Sequence, residues 1–406
     1  MRLGSAPRIA PLSFLCPSPL KDISLLSSRI KRLIFGSDSS FPMADTPAAS
    51  YPMIGGDGRS SYAHNSSFQR TAVESAQALI NEGISENLDI KQLIFSSPSP
   101  NTFSIADLGC SVGPNTFIAV QNIIESVKFK CLADDLCSEA VEFQVFFNDH
   151  VSNDFNTLFK SLPCDGQYLA AAVPGSFHGR LFPKASLHFA HSSYSLQWLS
   201  RVPQELLDKK SPAWNKGRIC YFGAPSEVFE AYSAQFAKDM ESFLNSRAQE
   251  LVNGGLMALI VPCFPVGIPP SQCPIIVIIA LLEATLMDMV NMGLVSEDKV
   301  DSFNLPGYNP TPQELRSLID RNGCFSIEKM EPLVRNRGLV SESKNQNHIL
   351  PVRAAWEGLI KGHFGSEIID ELFDLFNKKV LESPIFSQVN NNQVQEMFVL
   401  LKHRVA

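Results

Sequence analysis

Asp107, Gly109 and Gly113 stand in the order Asp-x-Gly-x-x-x-Gly, directly after a short apolar run and directly before a segment with helical apolar spacing. Glycine permits close backbone approach, and the N–H groups that open a helix are free to hold a carboxylate or a phosphate. Alone, the pattern describes a tight turn as readily as a cofactor loop. It differs from the dinucleotide signature Gly-x-Gly-x-x-Gly, which disfavours a dehydrogenase. Asp149 supplies a second half, because an acid at the tip of the next strand is where ribose hydroxyls are held. Its separation from Asp107 exceeds the usual ~20 residues, so an insertion must lie between them.

Other candidate chemistry is weaker. Residues 175–179 read Gly-Ser-Phe-His-Gly, whereas a hydrolase elbow needs serine at the centre, where Phe177 stands. Phe177 on a strand-end loop instead suits an adenine ring. His188 and His191 fall on one predicted strand, where positions i and i+3 face opposite ways, so they do not form a zinc pair. Nine cysteines without a Cys-x-x-Cys spacing read as reduced thiols of an intracellular protein.

The elements that must position these residues alternate. Spacing predicts strands over residues 103–107, 141–147, 168–173, 186–190 and 256–261. Helices are predicted from Asn115 onward and over 226–252, the latter ended by Gly254 and Gly255. This is the pattern of an α/β protein with a parallel, doubly wound sheet. Two more strands, 325–330 and 396–402, are expected to close one edge antiparallel. Residues about 262–312 break the alternation and, with about 345–381, are read as a mostly helical cap.

Composition narrows the function. Of 406 residues 45% are apolar, and 34 basic against 41 acidic residues leave a charge of −7. No nucleic-acid partner is expected, since phosphate neutralisation needs clustered Lys and Arg. The longest apolar run starts at Ile275 and stops at Glu283, well under the ~20 residues of a membrane span, which predicts a buried helix and no membrane partner. Residues 1–42 are rich in Ser and Pro and carry Arg2, Arg8, Lys21, Arg29, Lys31 and Arg32 against Asp22 and Asp38. They fit a transit peptide or an extension ahead of Met43, with one domain following over 43–406. The expected location is cytoplasmic, or the plastid if the segment is a transit peptide.

Five stretches together resemble the plant SABATH methyltransferases. They are residues 60–69 (Ser-Ser-Tyr-Ala-His-Asn-Ser-Ser-Phe-Gln), 107–116 (Asp-Leu-Gly-Cys-Ser-Val-Gly-Pro-Asn-Thr), 148–156 (Asn-Asp-His-Val-Ser-Asn-Asp-Phe-Asn), 174–183 (Pro-Gly-Ser-Phe-His-Gly-Arg-Leu-Phe-Pro) and 192–200 (Ser-Ser-Tyr-Ser-Leu-Gln-Trp-Leu-Ser). The resemblance runs from about residue 51 to the C-terminus and lies nearest the loganate- and farnesoate-like branch. It implies a Rossmann-like methyltransferase sheet and methylation of small plant acids or xanthine alkaloids. It also implies S-adenosylmethionine as cofactor, held by Tyr62, Ser66, Cys110, Asn115, Asp149, His150, Ser176 and Phe177 together with the turn of Asp107 and Gly109. Gln69 and Trp198 match the pair that binds a substrate carboxylate, with Tyr194 and Gln197 on the same substrate side. Asn215, Asp301, Phe303 and Asn304 match a magnesium constellation found in some members, and homodimers are common in the family. Several acid-methylating members carry His or Met where this chain has Gln197.

A carboxylic acid is ionised at neutral pH, so its methylation needs alignment and exclusion of water and no general base. The amide of Gln69 and the indole N–H of Trp198 are neutral donors suited to orienting it. The rival readings are methylation of a nitrogen or phenol, which wants a base, and a cofactor-binding homologue without catalysis.

Overall fold

The structure, a computed structural model, describes residues 52–95, 101–164, 166–264, 267–335, 349–387 and 395–404. All belong to one compact unit, Ala48–Ala406. Residues 1–42, the start of the expected domain at 43 and residues 345–348 of the expected cap lie outside the described residues.

Seven strands form one sheet: β1 (Thr102–Leu108), β2 (Glu142–Asp149), β3 (Leu169–Pro174), β4 (Leu187–Ser193), β5 (Leu251–Cys263), β6 (Phe325–Pro332) and β7 (Gln395–His403). Their order is β3-β2-β1-β4-β5-β7-β6. The first five run parallel, and β7 is antiparallel to both neighbours. The Rossmann-like α/β class and the antiparallel edge are therefore as the sequence predicts. Chain order reverses between β1 and β4, and ligands of open parallel sheets bind beyond the carboxyl ends of the strands at that reversal.

The helices are α1 (Tyr62–Asn65), α2 (Ser67–Ser75), α3 (Gln77–Asn87), α4 (Pro114–Ala133), α5 (Phe155–Lys160), α6 (Ser226–Glu250), α7 (Pro274–Asn291), α8 (Glu297–Asp301), α9 (Pro312–Asn322), α10 (Ile349–Phe364), α11 (Ile369–Glu382) and α12 (Pro384–Ser387). On one sheet face Val120, Ile123 and Ile124 of α4 and Ile80 and Ile84 of α3 meet Phe103, Ile105 and Phe147. On the other, Tyr232, Phe236 and Phe243 of α6 meet Leu108, Met257 and Leu259. β1 contributes to both because successive side chains alternate faces. A third core joins α7, α10 and α11 through Leu282, Leu286, Met289, Trp356, Ile360 and Phe373. It is the helical cap.

Two expectations need correction. Gly254 and Gly255 do not end α6: the helix stops at Glu250, and both glycines lie inside β5. There the pairing with β4 jumps from Leu187↔Leu251 to Phe189↔Leu256. Gly254 takes φ +78°, and a Cβ on Gly255 would sit 3.1 Å from the His188 carbonyl. The glycines mark an irregularity in a strand, a role that looks the same in sequence as a helix stop.

The second concerns α7, which spans the apolar helix expected over about residues 275–293 but is, by length and composition alone, able to cross a membrane. It is not buried all round. Ile276, Ile279, Leu282, Thr285, Leu286 and Met289 face the core, while Ile275, Ile278 and Leu281 are half-buried. Glu283 accepts a hydrogen bond from the Ile219 amide (3.0 Å), and burial pushes its carboxyl above the usual range.

Candidate active site

The glycine turn leaves β1 at the reversal point and enters α4 through Pro114, a residue preorganised for the first helical position. Gly109 has φ +83°, and a Cβ there would run into Ser195 Oγ from the loop after β4. Only glycine fits both constraints. The Gly109 and Cys110 amides donate to the Asn148 carbonyl at 2.9 and 3.0 Å. Ser111 is also left-handed, φ +52°, and its amide is aimed at Asp149 Oδ2, 2.7 Å away. The other oxygen of Asp149 accepts the His150 amide at 2.7 Å. Burial pushes the Asp149 carboxyl above the usual aspartate range, against the opposing pull of those two amides.

Asp107 is 4% exposed. One oxygen accepts from Thr116 Oγ1, and the other meets His191 Nδ1 at 2.7 Å. Its partners are inside the fold, so it braces the turn from behind. His188 Nδ1 accepts the Ser104 amide at 3.0 Å; the two histidines serve separate structural contacts. Among the described residues no cluster of three or more His, Cys, Asp or Glu could hold a metal.

Tyr62 of α1, Ser66 at the α1–α2 junction and Asn115 of α4 converge on the same turn. Asn115 Nδ2 donates to the Ser66 carbonyl and hydroxyl at 3.1 and 3.0 Å. Burial and the charges of Asp149 and Asp107 raise the Tyr62 phenol, which therefore stays protonated. Cys110 is held as a thiol for the same reasons. Across the turn, Phe177 is 8% exposed and a Cβ built on Gly109 would lie 3.7 Å from its ring. Ser176 beside it is exposed, with its hydroxyl 3.4 Å from the His178 amide.

A pair missed in the sequence holds this loop. Arg247 and Glu250, both fully buried, form an ion pair at the end of α6. Arg247 donates to the Phe177 and Gly179 carbonyls at 2.7 and 2.9 Å. Glu250 accepts the Leu181 and Phe182 amides. The i, i+3 spacing of opposite charges at the helix end was the available signal.

Of the residues expected to face the substrate, Gln69 lies on α2, and its carboxamide oxygen is buried without a partner. Tyr194, Gln197 and Trp198 lie in the loop after β4. Tyr194 has φ +56°, and its hydroxyl is bonded to Glu396 and Arg335. Gln197 Nε2 donates to the Tyr194 carbonyl at 2.7 Å, while its Oε1 is buried and unpartnered. Trp198 pairs with Gly307 and packs on the cap core. The Phe68 ring, next to Gln69 on α2, meets Tyr194, in the same loop as Trp198, edge-on at 6.0 Å. Arg335 and Glu396 escaped sequence reading, being 61 positions apart with no local pattern linking them.

Asn215, Asp301 and Asn304 meet in the cap. Asn215 Nδ2 donates to Asn304 Oδ1 at 2.7 Å, and the Gly217 amide to Asp301 Oδ1 at 2.8 Å. Phe303 packs against Phe364 at 4.9 Å. Asn215 Oδ1 and Asn304 Nδ2 are buried without partners.

A glycine turn at a sheet reversal, a buried acid at the tip of the next strand and an aromatic residue opposite the turn are the arrangement of a nucleoside-cofactor α/β enzyme. A family model described as SAM dependent carboxyl methyltransferase matches residues 48–404. Loganic acid O-methyltransferase of Catharanthus roseus is 44% identical over 89% of this chain and 97% of its own. Farnesoic acid carboxyl-O-methyltransferase of Arabidopsis thaliana is 41% identical over 82% and 94%. A solved loganic acid methyltransferase with SAH matches with a TM-score of 0.80 at 44% identity, covering 87% of this chain and 99% of that one. The chain belongs to the S-adenosylmethionine-dependent carboxyl methyltransferases, the SABATH family.

Proposed function

We propose that the protein forms the methyl ester of a small carboxylic acid (terpenoid, iridoid, aromatic or hormone-like) by direct displacement without a general base. The cofactor suits the turn: the Ser111 amide meets Asp149 on one side, Phe177 lies against Gly109 on another, and Tyr62 flanks Gly113. When bound, S-adenosylmethionine supplies an electrophilic methyl group on a sulfonium. Asp149 is assigned the ribose hydroxyls, Phe177 the adenine, and Gln69 and Trp198 the acid.

The observation that carries this reading is the setting of Gln69. Its carboxamide is not tied down at the oxygen, so it can turn its Nε2 donor toward an acid, while nearby Arg335 has every N–H committed to protein acceptors. Arg335 therefore offers the acid no cationic clamp, and the donors proposed for it, Gln69 Nε2 and the Trp198 indole N–H, are uncharged. A clamp would over-stabilise the anionic nucleophile, whereas a dry neutral site favours a reaction that cancels two charges. Gln197 Oε1, an unpartnered buried acceptor, suits an acid that carries a hydroxyl.

Magnesium fits the cap cluster in part. Asp301 supplies one carboxylate and Asn215 Oδ1 lacks a partner, but Asn304 Oδ1 is already taken by Asn215. An ion there acts on the cap and not on methyl transfer. Homodimer formation belongs to the same reading and is read by analytical ultracentrifugation. Cytoplasmic or plastid placement is read by fluorescent fusions with and without residues 1–42.

The test is labelled methyl transfer from S-adenosylmethionine to a panel of acids, including loganic and farnesoic acids, with phenol and amine acceptors alongside. Ester formation with an acid supports the proposal. Turnover restricted to phenols or amines overturns it in favour of a base-assisted rival, for which His178, with Nδ1 buried and unpartnered, is a candidate.

A further inference from the structure

Behind the substrate side lies a charged group that methyl transfer does not use. Arg335, in the segment after β6, pairs with Glu396 of β7, and Glu396 is 1% exposed. All five guanidinium N–H groups have acceptors. Nε meets Glu396 Oε1 and Oε2 at 3.1 and 3.0 Å. Nη2 donates to Glu396 and, at 2.8 Å, to the Tyr194 hydroxyl. Nη1 donates to the Phe68 carbonyl at 2.8 Å and to Thr71 Oγ1 at 2.6 Å. The guanidinium carbon lies 3.6 Å from the Phe68 ring centroid, and the Tyr194 hydroxyl donates to Glu396.

These contacts join three elements distant in sequence: α2, which carries Gln69; the loop after β4, which carries Trp198; and β7. The loop needs such support. A bulky residue rarely adopts the left-handed conformation found at Tyr194, and such strain persists only where the surroundings over-determine it. Tyr194 is held at every polar atom: its amide by the Ile260 carbonyl at 3.0 Å, its carbonyl by Gln197 Nε2, and its hydroxyl by Arg335 and Glu396. The Trp198 amide then donates to the Ser195 carbonyl at 3.1 Å within the same turn.

We propose that Arg335 is a positioning residue for the acid substrate: with Glu396 it sets the spacing between the Gln69 helix and the Trp198 turn. This rests on the assignment of Gln69 and Trp198 to the acid. Arg335 does not touch the substrate, because its donors are fully engaged and its charge is cancelled by Glu396. Lysine cannot replace it, since an ammonium has neither the planar fork nor a face to stack on Phe68.

The test uses the full chain and the panel acid that wild type methylates fastest. The double variant Arg335→Met/Glu396→Gln removes both charges at similar volume and leaves no stranded buried carboxylate; Arg335→Lys keeps the charge and loses the fork. The double variant should raise KM for the acid about tenfold, and Arg335→Lys about threefold, with the S-adenosylmethionine Kd within about twofold of wild type. Hydrogen exchange, which needs no acid, should quicken about tenfold at residues 67–75 and 194–198 while β1 and β2 are unchanged.

Wild-type KM and local exchange in both variants would overturn the proposal. So would an equal loss of cofactor affinity with exchange raised throughout, which marks an ordinary fold contact. If the double variant does not fold, Arg335→Lys carries the same readouts. Absence of wild-type turnover on every acid counts against the functional reading, and the exchange experiment then still decides the role of Arg335.

Discussion

Two side chains at the site should separate binding from chemistry. Trp198→Ala should abolish ester formation and leave cofactor affinity nearly intact, whereas Asp149→Ala should weaken the cofactor first. Calorimetry alongside turnover distinguishes them, and an equal loss of cofactor binding in both variants would break the assignment. Asp149 also carries a pH signature. Burial raises its carboxyl pKa, and the ionised form is the one that accepts ribose hydroxyls. Cofactor affinity should be complete above that raised pKa and should decline as pH falls through it, starting above the ~3.9 of an ordinary aspartate. Titration of Kd against pH reads this, and Asp149→Asn should bind weakly with the pH dependence gone. At this scale the positions of Asp107, Gly109, Asp149 and Phe177 were legible, because they stand at or just past the ends of predictable strands. The inward commitment of Asp107 to Thr116 and His191 was not, since which way a buried carboxylate turns depends on neighbouring strands.

Among the elements, α6 connects a covering helix to the cofactor loop. Its Arg247 and Glu250 clamp the carbonyls and amides of residues 177–182, so Phe177 is aimed from the helix and not by its own loop. Arg247→Lys keeps a charge beside Glu250 but cannot span both carbonyls. It should raise KM for S-adenosylmethionine about tenfold and leave KM for the acid within about twofold, as steady-state kinetics with each substrate varied would measure. A parallel rise in both constants would instead mean general loosening. The opposite pattern is expected of the Arg335 variants; on the proposed assignments the Arg247–Glu250 pair serves the cofactor and the Arg335–Glu396 pair the acid. Element types followed from periodicity, but the end of α6 did not. Gly254 and Gly255 stop a helix and interrupt a strand equally well, and only the β4 register shows which occurs here.

Across the whole molecule, the cap covers the loop of Trp198 through the Gly307 bridge and the Leu199 amide bond to the Pro306 carbonyl at 2.8 Å. There Asn215 and Asn304 bond to each other, and methyl transfer to an ionised acid, as proposed, draws on no ion at this cluster. Saturating chelator should therefore leave the turnover rate within about twofold of its untreated value. A large, magnesium-reversible loss would place an ion in the reaction after all.

By itself the sequence determined the alternation of strands and helices, the antiparallel edge, the glycine turn with its acid one strand later, and the family. These are local patterns, written in spacing of two, of three to four, or in contiguous motifs. Tertiary structure alone decided that Ser195 closes the space over Gly109, that Arg335 reaches Glu396 and Phe68 together, and that α7 buries one face and leaves the rest half-exposed. The reason is that such pairs depend on strand order and helix placement. Residues dozens of positions apart become neighbours only after the sheet has chosen which strands lie side by side.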